Sequence, residues 1–455
     1  MRFKSILHWK NKQKNRDCPF FLLLFLIWPL NLSAESSIPL NLSIQQAISM
    51  AIQNNLTMKL AKAQTMESRS RVLQGASALL PQVIGTMSEN RTYKLNLAAM
   101  GFTPGLLPGI PGALGPYNVF DARLHLVDNV LDLSAVQSLR AARRQNQMAV
   151  LGEKLAAEQV AAAAALSYVD DLRTQKEIIA AKADETLALE LLKLAQDKVN
   201  SGTADPIDLA RAKTSRSQAH LRVIVADLAA QKADMRLKHI IGVPLGRPII
   251  LEERLDVISK PAPPLADSLS KAYSSRLEIQ VEKKSLESAK LTLSAAHLSR
   301  IPTVTINGDY GLSGITPTQD DIPTGNLGAG LMWRFFTGGQ IRSQATAAIS
   351  QMERAAAEFK DTKVQIDQDV RTALLELQAA EEEVETSSQT KKLAELELNL
   401  AENRFKAGIG DNQELVRAQD SMAEARNAVV GAIAADNNAW IHLFLSLGKA
   451  QQFGF

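Results

Sequence analysis

The sequence predicts a mainly α-helical protein built from two similar halves, each carrying a pair of β-strands. The composition is rich in alanine, 46% hydrophobic and only 5% aromatic, which favours long, closely packed helices. Two long stretches, 134–200 and 339–406, contain no proline, and proline would interrupt a helix. The chain also repeats itself, since "DKVNSGTADPIDLARAK" from Asp197 resembles "NRFKAGIGDNQELVRAQ" from Asn403.

Residues 1–34 are predicted to be a secretory signal peptide. A basic lead precedes the apolar run "PFFLLLFLIWPL", and Ala34 is a plausible cleavage position. The run is shorter than the roughly 20 residues of a spanning helix, so an uncleaved anchor is the weaker alternative. The leader holds six of the 51 Lys/Arg residues and one of the 48 Asp/Glu residues. Its removal takes away the net positive charge, which leaves no case for a nucleic-acid partner.

The mature chain has no cysteine, because Cys18 lies in the leader. It therefore forms no disulfide and suits an oxidising compartment such as the periplasm. No second apolar run approaches the length of a spanning helix, so any membrane insertion is expected to use β-strands.

Two constant offsets relate the halves of the chain. With an offset of 221, three residues of the first half match identical residues of the second: Ala51 and Ala272, Leu56 and Leu277, Pro81 and Pro302. With an offset of 206, four more pairs are identical: Gly202 and Gly408, Leu209 and Leu415, Arg211 and Arg417, Gly242 and Gly448. We interpret this as an internal duplication. The first structural repeat covers 35–260 and the second covers 261–455.

Each repeat is predicted to contain the same elements in the same order. A short amphipathic helix and a helix of about two dozen residues come first, and the second ends before a proline. There follow a strand pair (about 82–130; about 303–336), a long helix (134–200; 339–406), a tip turn (201–205; 407–412) and a return helix (206–241; 413–447). Pro206 fits a first helical turn, and Gly242 and Gly448 fit helix C-termini.

The predicted strands alternate between apolar and polar residues, as in "VTINGDYGL" and "FDARLHL". This alternation suits either a half-buried soluble sheet or a transmembrane barrel with a wet lumen. Four strands do not close a barrel, and open strand edges are not tolerated in lipid. A barrel must therefore be shared between chains. Two copies would barely close it, whereas three would give twelve strands and room for a pore.

Nearly the whole mature chain resembles the TolC family of outer-membrane export channels. The resemblance rests on the duplicated plan, on "LVDNVLDLSAVQSLRAA" and "LMWRFFTGGQIRSQATAA" at the strand-to-helix junctions, and on the two glycine turns. It implies a homotrimer whose strands form a 12-stranded β-barrel in the outer membrane and whose long antiparallel helices form an α-barrel across the periplasm. Such a protein is a passive duct that docks to a periplasmic adaptor, or membrane fusion protein, and an inner-membrane pump of an efflux or type I secretion system.

The resemblance also assigns roles to the tips. The adaptor-contact turns would contain Gly202, Thr203, Gly408, Ile409 and Gly410, and the periplasmic gate or constriction would contain Asp208, Phe405, Asp411, Glu414 and Arg417. Glu414 takes the place of a pore-facing acid, whereas Arg417 replaces a second acid and Gly410 stands where a basic partner can occur. A charged latch would need Arg211 or Arg417 as its cation, paired with Asp208 or Glu414. Ordinary helix-surface charge is the alternative for each of them.

No pattern of residues predicts catalysis, a metal site or a cofactor. The six histidines are scattered, and there is no Walker A or G-x-S-x-G pattern. The rival function is a non-channel periplasmic scaffold of helices that bridges envelope layers. That alternative accounts for the helices but not for the alternating strands. The exported cargo is not indicated by the sequence.

Overall fold

The computed structural model describes residues 39–100, 112–319, 321–407 and 409–454, within one compact unit, Pro39–Phe455. The predicted signal peptide and Gly408 lie outside the described residues. The helices are α1 (Ile44–Asn54), α2 (Leu56–Ser77), α3 (Leu133–Asn200), α4 (Pro206–Ile241), α5 (Leu265–Ser275), α6 (Leu277–Leu298), α7 (Gln340–Lys406) and α8 (Asn412–Ser446). The strands are β1 (Leu40–Leu42), β2 (Gln82–Thr92), β3 (Leu95–Asn96), β4 (Ala113–Leu114), β5 (Tyr117–Leu131), β6 (Ile249–Leu251), β7 (Thr303–Gly314) and β8 (Ile322–Met332). Short 3-10 helices cover Leu97–Met100 and Ala450–Gln452.

The long helices follow the proline-free stretches of the sequence. α3 has 68 residues and α7 has 67, so each is about 100 Å long if straight. Each packs along its return helix, α3 on α4 and α7 on α8, while α3 also contacts α8. Many of the buried residues on these helices are alanines, whose small side chains let neighbouring backbones approach closely.

The four main strands form one antiparallel sheet in the order β2-β5-β7-β8. The pairing of β5 with β7 joins the two halves of the chain. Directly paired residues share a face, so Asp121, Arg123 and His125 lie on the same face as Thr86 and Asp309. The other face carries mainly apolar residues, among them Met87, Leu124, Ile306, Tyr310 and Leu327. The sheet thus has one wet face and one apolar face, as the alternation predicts.

The second strand pair ends earlier than predicted, because β8 stops at Met332 rather than near residue 336. The indole N–H of Trp333 donates to the carbonyl of Arg300 (3.2 Å), and its ring lies 4.5 Å from that of Phe335. Gly338 and Gly339 then adopt positive φ angles, which glycine tolerates, and α7 begins. Trp333 therefore belongs to the junction and not to the strand.

The largest core lies where the short elements meet the long helices. Its fully buried side chains include Tyr168, Leu377, Ile441 and Phe453. The Tyr168 hydroxyl, which has one proton to donate, lies within hydrogen-bond distance of the carbonyl of Leu42 (2.9 Å) and of the carboxylate of Glu253. A separate small core, with Leu191, Leu398, Phe405, Leu415 and Met422, holds α3, α7 and α8 together near the tips. α8 is long and apolar enough to cross a membrane by composition, but 44% of that stretch is buried inside the protein.

One buried carboxyl group lies between α3 and α4. Asp171 is 2% exposed and accepts a hydrogen bond from Gln175 (3.3 Å). The neighbouring ammonium of Lys238 is bonded instead to Asp234 (2.5 Å) and to the carbonyl of Leu245 (3.3 Å). Burial raises the pKa of Asp171 to about 6, and the negative charges of Asp234 and Asp170 act in the same direction. The ionised form of Asp171 therefore destabilises the fold.

We expect Asp171→Asn to stabilise the protein by about 2 kcal/mol at pH 7.5. Because the pKa of Asp171 is raised in the folded state, the free-energy cost of ionising it there is absent below about pH 4 and grows as the pH rises to about 6. The gain should therefore shrink strongly at pH 4.5, as measured by denaturant midpoints at both pH values. Asp170→Asn is the matched control, because Asp170 pairs with Arg173 (2.7 Å) and its loss should give no gain. An equal gain for Asp171→Asn at both pH values would contradict the argument.

Candidate functional site: the helical tips

The first tip turn reverses the chain between α3 and α4. Gly202 has a φ of 73°, and its N–H donates to the carbonyl of Val199 (3.0 Å). The N–H of Thr203 reaches back to the carbonyl of Lys198 (2.9 Å). This pair of bonds is the Schellman arrangement, which satisfies carbonyls that a helix end leaves free. Asp205 then caps α4 by accepting from the N–H of Ile207 (2.9 Å).

The second tip turn, between α7 and α8, repeats the bond from Thr203 to Lys198 and the aspartate cap, and it has a further bond from Gly410. The N–H groups of Ile409 and Gly410 both donate to the carbonyl of Arg404 (3.1 Å each), and Asp411 caps α8 by accepting from Gln413 (3.0 Å). A Cβ at Gly410 would lie 2.9 Å from Cβ of Arg404. This position therefore favours glycine, which gives a physical reason for the missing basic side chain. Asp205 and Asp411 correspond at the offset of 206, so their shared capping role was a signal available in the sequence.

Three contacts hold the two tips against each other. The side-chain amide of Asn412, itself 3% exposed, donates to the carbonyl of Asp208 (2.8 Å). The ammonium of Lys198 donates to the carbonyl of Phe405 and lies 4.2 Å from the centre of its ring, within the range of a cation–π contact. Arg211 of α4 lies 3.7 Å from the carboxylate of Asp411. Sequence reasoning missed Lys198 and Asn412, because both act on backbone carbonyls that a sequence does not display.

The predicted gate residues come together around these contacts. Arg211 also lies 3.6 Å from Asp208 in its own helix, so one arginine faces carboxylates of both tips. Glu414 lies beside neither Arg211 nor Arg417, the two predicted cations, but 3.6 Å from Arg404 of α7. Phe405 is 3% exposed and belongs to the small core. Arg417 is exposed and makes no ion pair with any residue that the structure describes.

Further polar contacts join the two hairpins above the tips. The hydroxyl of Ser215 on α4 donates to Gln419 on α8 (3.4 Å). Arg222 on α4 lies 3.3 Å from Asp420 on α8. Higher still, Arg426 on α8 bonds the carboxylate of Asp184 on α3, whose side chain is 8% exposed. Burial raises the pKa of Asp184, although the charges of Arg426 and Arg222 oppose that shift.

The fold matches solved channel structures. The Campylobacter jejuni CmeC outer membrane channel has a TM-score of 0.78 at 17% identity, covering 90% of this chain and 86% of that one. The outer membrane protein VceC from Vibrio cholerae has a TM-score of 0.75 at 17% identity, covering 89% and 96%. The fold is therefore that of the TolC-like outer-membrane channels.

Sequence comparison supports the same class. Residues 268–449 match the family described as "Outer membrane efflux protein". The pyoverdine export outer membrane protein OpmQ of Pseudomonas aeruginosa is 20% identical over 416 residues, covering 90% of this chain and 85% of its own length. The outer membrane efflux protein BepC of Brucella suis is 23% identical, covering 85% and 81%.

The chain is thus an outer-membrane channel for efflux that extends into the periplasm, and the expected family is confirmed. The family implies trimeric assembly and association with efflux-pump components. The matched family and the structural neighbours are channel proteins and not known enzymes.

Proposed function

We propose that three copies of this chain form one continuous passive duct, which receives cargo from a periplasmic adaptor and an inner-membrane pump. The observation that carries this proposal is that the chain leaves its sheet and its helical layer open at both edges. One set of edges comes from the first repeat and the other from the second, so identical copies can close a ring head to tail.

The sheet supplies the first pair of edges. β2 and β8 are its outermost strands, and each has a row of backbone groups that a membrane would not hydrate. If β2 of one copy pairs with β8 of the next, three copies close twelve strands. The apolar face of the sheet then meets lipid, and the face with Asp121, Arg123 and Asp309 lines the lumen.

The helices supply the second pair of edges. α4 packs mainly on α3 and α7 mainly on α8. The two hairpins meet through α3 and α8 and, near the tips, also through α4 and α8, whereas α4 and α7 do not pack on each other within the described part of the chain. On α4 the exposed apolar residues Leu221, Val225 and Leu228 are four and three positions apart. On α7 the exposed residues Leu393, Leu396 and Leu400 are three and four positions apart. This spacing is typical of helices that pack as coiled coils, so α4 of one copy can pack against α7 of the next.

The six tips of such a trimer would form its periplasmic mouth. We assign adaptor contact to the turns at 201–205 and 407–412, including Gly202, Thr203, Gly408, Ile409 and Gly410. We assign the constriction to Asp208, Phe405, Asp411, Glu414 and Arg417. The near-identical capping of the two turns supports this assignment, because six similar tips let an adaptor use one kind of contact around the whole mouth. We also propose that the two structural repeats divide at residue 260 and that residues 1–34 are a signal peptide.

The native mass of the complex extracted from outer membranes in detergent tests the duct. Three chains in one complex would support it. A single chain that leaves with periplasmic washes and needs no detergent would instead favour the helical scaffold. Reconstitution in planar bilayers then asks whether the complex conducts ions.

We expect Asn412→Ala to open the mouth more often. The amide joins the two tips through one buried hydrogen bond, whose loss costs about 1 kcal/mol. The open fraction in single-channel recordings should therefore rise roughly fivefold. Gln413→Ala is the control, because the neighbouring Gln413 is exposed and contributes only its backbone N–H to the cap of Asp411. Equal open fractions in the two variants would contradict a latch at Asn412.

A further inference from the structure

The carboxylates at the tips are paired with arginines, which bears on the charge of the cargo. Glu414 lies 3.6 Å from Arg404, and Arg211 lies 3.6 Å from Asp208 and 3.7 Å from Asp411. The carboxylate of Asp205 accepts from the backbone N–H of Ile207. Opposite charges at such distances cancel most of each other's field beyond a few ångströms. The pairing therefore lowers the acidic potential of the mouth, although Arg211 alone faces two carboxylates.

The count of charges near the tips also shows no acidic excess. Segment 193–216 of the first repeat contains five Lys/Arg and three Asp/Glu residues. The equivalent segment 399–422 of the second repeat contains three Lys/Arg and four Asp/Glu residues. Basic residues therefore outnumber acidic ones by one in each chain, and by three in a trimer. A pore that attracts cations is lined by rings of acidic side chains, and the composition of the tips does not favour such a lining.

One arginine at the mouth has no such partner. Arg417 is exposed and makes no ion pair with a described residue. It lies three residues after Glu414, about 60° around the helix, and farther from the buried stripe of Leu415, Ala418 and Met422. Arg417 is therefore nearer the middle of the exposed face of α8 than Glu414 is.

We propose that the periplasmic mouth of this channel admits anions at least as readily as cations, with Arg417 as the residue that sets this preference. The proposal rests on the proposed function, because it needs the tips to form the mouth. In a trimer Arg417 forms a ring of three guanidinium groups, and rings of like charge govern which ions enter a narrow aqueous pore. The class of cargo that this mouth accommodates is small organic anions, such as carboxylates.

The test is the reversal potential of the reconstituted full-length trimer in planar bilayers across a tenfold KCl gradient. The wild type should show equal permeation of the two ions or a preference for chloride. Arg417→Glu should shift the reversal potential toward potassium, and Arg417→Lys should leave it unchanged. Arg404→Gln should shift it toward potassium because Glu414 loses its partner. The double variant Arg404→Gln, Glu414→Gln removes a neutral pair and should restore the wild-type value.

Two outcomes would overturn the proposal. One is a strong potassium preference in the wild type. The other is a reversal potential that Arg417→Glu does not move. The Asn412→Ala background serves as a more open form without any change of charge. Absence of conductance in both backgrounds would reject the duct itself, and a conducting pore with the wrong ion preference would reject only the role of Arg417.

Discussion

Replacing Gly311 by alanine is expected to prevent assembly of the barrel. Gly311 on β7 pairs with Arg123 on β5, and a Cβ there would overlap the carbonyl oxygen of Ala122 and Cβ of Arg123. Neither atom is the free end of a flexible side chain. The extra methyl group must therefore separate β5 from β7, which is the pairing that joins the two halves of the sheet.

The same contact positions an ion-pair cluster on the wet face. The guanidinium of Arg123 lies 2.7 Å from Asp121 and 2.6 Å from Asp309, and Asp309 lies on the same strand as Gly311, two residues away. Overpacking costs about 1–3 kcal/mol even where side chains can move, and here backbone must move as well. We expect the yield of detergent-extracted trimer to fall by about tenfold or more.

Gly328→Ala provides the matched control. Gly328 lies on β8 and pairs with Asn307 on the same wet face, but a Cβ there would approach the Asn307 amide no closer than 3.8 Å. This variant should assemble normally, as judged by the same extraction and by size-exclusion chromatography. Equal yields of the two variants would mean that the β5–β7 pairing accommodates the methyl group.

The sequence predicts the helices well because their limits depend on local chemistry. Proline-free stretches, a proline at the first position of α4 and a glycine after its last turn act within a few residues, so α4 has the predicted bounds of 206–241. The strand alternation likewise predicts the two faces of the sheet. The end of β8 was placed too late because Trp333 is held by the carbonyl of Arg300, which lies far from it in sequence.

The tips were harder to predict, because their key contacts join residues about two hundred positions apart. The duplication identified the two turns and the carboxylates that follow them. It did not indicate that Asn412 would reach a backbone carbonyl of the other tip, or that Lys198 would reach the carbonyl of Phe405. Pairing of this kind depends on how two long hairpins align, and one residue of shift along a helix would change every partner.

Replacing Arg426 by methionine is expected to loosen the two hairpins well above the tips. Arg426 bonds Asp184, whose side chain is 8% exposed, whereas that of Arg426 is 28% exposed. The variant leaves a buried carboxylate without its cation, and breaking one side of a buried pair costs about 3 kcal/mol. The pair lies about 24 Å along α3 from the tip turn. Without this ion pair, we expect a longer part of the two hairpins to move when the mouth opens.

Backbone hydrogen exchange of α8 between residues 417 and 430 measures this loosening. Arg426→Met should speed exchange there by about a hundredfold. Asp184→Asn should have a smaller effect, because the arginine that it leaves behind is closer to water. The cost of Arg426→Met should also shrink from pH 8 to pH 5. Burial raises the pKa of Asp184 and losing Arg426 raises it further, so the unpaired carboxylate becomes neutral as the pH falls. Equal effects of the two variants at both pH values would show that the pair does not hold the hairpins together, and that the small core around Phe405 and Leu415 is sufficient.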